Sequence, residues 1–176
     1  VMTTLASQVR IQSRTGANLQ TMSIDAFWAS VGNPPVFDPR VLYDPIAQRW
    51  ITTAFSDPAG SNNASILIGV SATSNPTGSW HLRSVPVDTN SVIFPSSPNV
   101  GFTKDWITVS VPMFSETNFL FLRTDIWVFN KTNLYAGGVG QFTYFRYENP
   151  AMNQDNALVP AVTMDPTYST NFLVAN

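Results

Sequence analysis

The sequence predicts an all-β fold, and three observations carry the prediction. Short runs of alternating β-branched and aromatic residues recur along the whole chain. Clusters of Asp, Asn, Pro, Gly and Ser separate them, as tight turns require. No window carries apolar residues at i, i+3, i+4 and i+7 over the roughly ten residues that an amphipathic helix needs.

The runs fall, in order, at residues 41–43, 50–55, 65–71, 80–87, 106–111, 125–129, 141–147 and 161–164. Between them stand Asp44-Pro45, the cluster from Asp57 to Asn63, Asn75-Pro76-Thr77-Gly78, Gly137-Gly138 and Asp165-Pro166. Gly78, closing its turn, is expected to need a positive φ. Thirteen prolines and nine glycines, mostly at the edges of the runs, fit many short strands.

Laid over one another, the runs repeat. Pro39-Arg40-Val41-Leu42-Tyr43 is echoed by Pro98-Asn99-Val100-Gly101-Phe102 and by Pro160-Ala161-Val162-Thr163-Met164, about 60 residues apart. After each copy comes a second strand opening on Trp50, Trp106 and Asn171 in turn. The first two copies add a third strand at 66–70 and 125–129 and a fourth at 80–85 and 141–147. Each unit therefore reads as a four-stranded antiparallel meander. Repetition of such units predicts a β-propeller in which each unit is one blade and its first strand lines the central channel, with a β-sandwich as the alternative. Residues 8–30 read as the last two strands of a preceding blade, 37–88 and 97–148 as full blades, and 158–176 as the first two strands of a further one. That makes three blade equivalents, and propellers need about four to eight. The expected partner is therefore a second copy, closing a six-bladed ring about a two-fold axis, or the remainder of a longer chain.

Composition limits the function classes. The 176 residues, 44% hydrophobic, suffice for one domain with a real core. Only 11% are charged, against about 25% in an average protein, and Ser, Thr and Asn together number 50. A net charge of -2 with no Lys/Arg cluster gives a nucleic-acid backbone nothing to bind. Cysteine is absent and His81 is the one histidine, which removes disulfides, thiolate chemistry and imidazole-built zinc sites. No hydrophobic run approaches the roughly 18 residues of a membrane span. Together with the Lys- and Glu-poor, Ser/Thr/Asn-rich composition, this favours a secreted or extracellular protein.

Asp38-Pro39-Arg40-Val41-Leu42-Tyr43-Asp44-Pro45 with Arg49-Trp50, and the segment from Val70 to Trp80 with its turn, resemble a group of exported bacterial β-propeller proteins, most without an assigned activity. The same turn is similar to blade turns of furanosidase-type glycosidases and to the Asp-box of sialidases, though Pro76 stands where the box aspartate belongs. The resemblance implies a propeller fold. In the five-bladed glycosidases it touches, an Asp-Pro-x-Val context holds the general base, which would give Asp38 that role.

Asp38 also stands out in the residues themselves. It precedes the first strand of its unit, where the other copies carry Ser97 and Val159. A glycosidase needs a second carboxyl group as proton donor. Glu116 lies in a loop and Glu148 ends a fourth strand, on the outer rim, so the sequence favours a non-catalytic module binding a glycan or protein. The alternative is a hydrolase with Asp38 as its base. Phe27 and Trp28, in the connection before the first full unit, are expected to be free to meet a ligand, and Arg40 is placed with them. Asp44 and Asp165, each before proline, are expected to accept turn hydrogen bonds. Trp50, Trp80, Trp106 and Trp127 are expected in the core. No cofactor is expected, and a calcium ion held by loop oxygens near Asp57 and Asn62 is the one metal the sequence leaves room for. Asn63 and Asn130 open glycosylation sequons.

Overall fold

The period-2 alternation becomes four antiparallel sheets in the computed structural model, which describes residues 1–32, 35–56, 64–87, 92–148 and 158–175. The first sheet holds β1 (Met2–Thr4), β2 (Gln8–Gln12) and β3 (Asn18–Ser23) in that order. A short helix α1 (Ile24–Trp28) follows, its first turn capped by the Ser23 hydroxyl, which accepts from the Ala26 N–H at 3.1 Å. The second sheet is the meander β4 (Phe37–Asp44), β5 (Arg49–Ser56), β6 (Ser65–Ser71) and β7 (Trp80–Pro86). In the third, β10 (Trp106–Ser115) pairs on one side with both β8 (Ile93–Pro95) and β9 (Asn99–Phe102). Its other side pairs with β11 (Phe121–Asn130), which pairs with β12 (Phe142–Tyr147). The connection from β11 to β12 begins with a second short helix, α2 (Lys131–Tyr135). The fourth sheet is the hairpin of β13 (Leu158–Pro160) and β14 (Leu173–Ala175).

Two cores follow from which face each strand turns to its neighbours. Val9 and Ile11 of the first sheet pack with Trp28, Ala54, Leu67 and Leu82. On the opposite face of the second sheet, Ile51, Ile66, Ile68 and Val70 meet Ile107, Val109, Val111 and Phe129 of the third. Strand β6 is thus buried along its whole length, with Leu67 in one core and its neighbours Ile66 and Ile68 in the other. The sheets stack face to face, and their first strands lie side by side: β4 touches β9, and β9 touches β13. Phe102 bridges Val162 in parallel, and a Cβ on Gly101 would collide with the backbone of Pro160 and Ala161.

Five details differ from the sequence reading. The opening segment has three strands rather than two, because Met2–Thr4 is too short to show a period. Residues 161–164 form no strand. Only an isolated bridge joins Val162 to β9, and the paired strand lies just before it at Leu158–Pro160. The helices α1 and α2 span five residues each, below the length at which periodicity is visible. Gly78 closes its turn, donating to the Asn75 carbonyl at 3.2 Å, but its φ is not positive and no left-handed conformation is required there. Trp127 is buried and Trp50 and Trp80 flank the first core, whereas Trp106 lines an open groove instead of a core. Among the described residues no sheet closes on itself, and no helix is long and apolar enough to cross a membrane.

Candidate functional site

Asp38 and its counterpart Ser97 share an uncommon backbone. Each precedes proline, a context that steers the chain towards extended geometry, yet their φ angles are 46° and 41°. Each marks a bend in its first strand. The β4–β5 register shifts between Phe37 and Arg40, and the inner strand of the third sheet breaks into β8 and β9 around Ser97. Ahead of each bend a phenylalanine stacks on the second strand, Phe37 on Phe55 at 5.3 Å and Phe94 on Phe114 at 5.6 Å. The repeat thus extends beyond the Pro-x-Val motif to a pair of strained residues, each costing about 1–3 kcal/mol.

These two residues meet. The Ser97 hydroxyl donates to Asp38 Oδ2 at 2.8 Å, joining the first strands of neighbouring sheets. Asp38 is exposed and so is Arg40, two residues on, whose carbonyl accepts from the Thr52 hydroxyl at 2.8 Å. Glu116 is exposed past the end of β10, with its N–H donating to the Val92 carbonyl. Glu148, just beyond β12 in the outermost strand of its sheet, forms an exposed ion pair with Arg146 at 3.6 Å.

Phe27 and Trp28 correct the expectation of free aromatics. Trp28 is fully buried, edge-on to Phe27 at 5.3 Å, with its ring packed close to Gly69 of β6. Phe27 is buried too, edge-on to Trp80 at 5.1 Å, although one side of it borders a cleft of about 230 Å³ shared with Met22 and Trp80. An apolar pair at the end of a five-residue helix is core because the helix packs it over β6 and β7 of the second sheet, a contact that no local spacing reveals.

The cluster that sequence reasoning missed is buried. Asp44 ends β4 with no exposed surface, and its Oδ1 accepts from the Ile46 and Ala47 N–H groups at 2.9 and 3.2 Å, the turn role expected of it. Its Oδ2 lies 2.6 Å from Lys131 Nζ and accepts from the Tyr135 hydroxyl at 2.7 Å. Both partners come from α2 of the following sheet, one turn apart on the same face. Lys131 also donates to the Thr103 carbonyl and lies 4.8 Å from the centre of the Phe102 ring. Burial, and then the hydrogen bond to Asp44, push the Tyr135 phenol well above its ordinary range. The signal was Asp44-Pro45 together with a lone lysine opening an otherwise neutral segment.

Asp165 repeats the turn without the cluster. Its Oδ1 accepts from the Thr167 hydroxyl at 2.7 Å and N–H at 2.8 Å, which holds this exposed carboxyl below its ordinary range. Thr103 takes the same place in the second copy, accepting from the Asp105 and Trp106 N–H groups. Asn130 Oδ1 caps α2 by accepting from the Asn133 N–H at 2.8 Å, so that sequon side chain is already engaged. His81 packs its ring against Gly137, where a Cβ would come within 2.8 Å. Among the described residues no three His, Cys, Asp or Glu side chains gather as a metal site, and Asp57, Asn62 and Asn63 lie outside those residues.

The chain matches no family model, no curated protein and no solved structure.

Proposed function

We propose that the chain is a module of an exported β-propeller that binds a glycan or a protein through its face loops and carries out no catalysis. The observation that carries the blade reading is the stacking: the second sheet is covered on both faces, by the first sheet and the third, whereas each sheet of a two-layer sandwich has one covered face. Side-by-side first strands, joined at equivalent positions by Asp38 and Ser97, are what blades around a channel would present. Binding is favoured over hydrolysis by the Asp38 contact, since its described partner is a serine hydroxyl. The rim position and ion pair of Glu148 also leave that residue unsuited as the proton donor.

Glycan-array binding by the purified chain, run beside a panel of aryl glycosides, tests the reading. Binding without turnover is the expected result. Turnover abolished in a folded Asp38→Asn variant would replace it with the hydrolase.

A further inference from the structure

The first sheet breaks its own pattern at Gln20. Paired residues of β2 and β3 share a face, and Val9 with Met22 and Ile11 with Gln20 form the face turned to the second sheet. Val9 and Ile11 are core and Met22 packs against them, but the fourth residue is an amide. The register shifts beside it: Ile11 pairs with Gln20 and Gln12 with Asn18, so Leu19 is the extra residue of a bulge and stands 59% exposed. Bulges re-aim side chains, and this one leaves a leucine in solvent and a half-buried glutamine on the core face. The inversion has no structural return, since among the described residues the Gln20 side chain makes no hydrogen bond. A local rule broken without such a return marks a functional position.

Gln20 borders the cleft of about 230 Å³ between the first two sheets. Met22 and Phe27 line it on the same side, and Trp80, Pro76 and Gly78 line it from the second sheet and its turn. Trp80 is held in place there, its indole N–H donating to the Pro76 carbonyl at 3.0 Å and its ring edge-on to Phe27. With that N–H engaged, what the indole offers a ligand is its apolar ring. No charged side chain lines the cleft.

We propose that this cleft binds one neutral sugar ring of a glycan, with the C–H groups of the ring against Trp80 and Met22 and two adjacent hydroxyls on the Gln20 amide. The proposal rests on the glycan half of the reading above. Three properties select the occupant. The volume, below the roughly 300–1,000 Å³ of drug-sized sites, limits it to about one ring. The absence of charge would leave an ionic ligand uncompensated. A purely apolar ligand would bury the Gln20 amide unpaired, whereas adjacent hydroxyls accept from its NH₂ group and donate to its carbonyl.

Titration of the full chain with the methyl glycosides of glucose, galactose, mannose and arabinofuranose tests it, read by nuclear magnetic resonance in the indole N–H signals of the five tryptophans. The Trp80 signal, assigned by its loss in Trp80→Phe, should shift saturably with at least one of them. A dissociation constant on the order of 1 mM is expected for a ligand of about a dozen non-hydrogen atoms. Glucuronate, which is charged, should leave the signal in place. Gln20→Leu should remove the shift up to about 10 mM glycoside, a loss of at least about tenfold. Its thermal midpoint should hold or rise, because an unpaired amide leaves an apolar face. A Trp80 signal that moves with none of the four overturns the proposal. So does a shift that survives in Gln20→Leu, or a lowered midpoint in that variant, which would make the amide structural. Glycan-array binding beside a silent Trp80 removes this cleft and leaves the binding reading standing, so the two failures are told apart.

Discussion

Replacing Lys131 by methionine keeps most of the side-chain volume and removes one charge from the interface between the second and third sheets. In the structure that charge lies 2.6 Å from a carboxylate with no exposed surface. With an effective dielectric constant of about 20, the gross attraction at that distance is about 6 kcal/mol, and desolvation of both groups offsets much of it. Removing one partner of a buried pair typically costs about 3–5 kcal/mol, because the remaining charge stays buried. Asp44 would keep Tyr135 and two backbone N–H groups, which places the expected loss near the lower end, about 3 kcal/mol. For a chain of this size that lowers the thermal midpoint by about 6–12 °C. Asp44→Leu combined with Lys131→Met should be less destabilised than the sum of the single changes, since no charge is then left behind. Calorimetry of the four proteins completes the cycle. Additive single effects, or a Lys131→Met midpoint within about 2 °C of the parent, would refute the claim that this pair joins the sheets.

Tyr135 should ionise above the ordinary phenol range in an ultraviolet titration, and Asp44→Asn should bring it down. Because its folded value is raised, its contribution to stability is full below the ordinary phenol range near pH 10 and is lost as pH rises above it. Gly101→Ala should loosen the β13–β14 hairpin, since the added Cβ meets the Pro160 and Ala161 backbone. A loss of about 1–3 kcal/mol in denaturant midpoint is expected, and no loss would refute the close approach.

The strands of the two central sheets were legible because they are rich in β-branched and aromatic residues and their turns carry Asp, Pro and Gly. Runs at 50–55, 65–71 and 106–111 all lie within β5, β6 and β10. The continuous apolar stretch Ile66-Leu67-Ile68 is the signature of a strand buried on both faces, and it lies between the two cores. What was not legible depends on partners distant in sequence. Trp28 is core because a helix brings it over β6. Lys131 is buried because Asp44, in another sheet, faces it. Asp38 was singled out as a residue that breaks the repeat, but in the structure it bonds to Ser97, its counterpart in the next copy. A motif comparison sees the substitution and not the contact.

That contact also explains why a strained conformation is kept at both positions. A left-handed residue before proline is costly, and two of them at equivalent places in neighbouring units imply a shared requirement. Each bend ends the pairing that carries Phe37 or Phe94 and lets the strand resume further along, at Arg40 or Asn99, against the same second strand. The carboxylate and hydroxyl then occupy the seam where the first strands of the two sheets meet. The acid there accepts the Ser97 hydroxyl across the seam. Neutralising it as Asp38→Asn keeps an acceptor for the Ser97 hydroxyl, whereas Asp38→Ala removes it. The first substitution thus separates charge from geometry, which is why the assay for hydrolysis is built on asparagine and not on alanine.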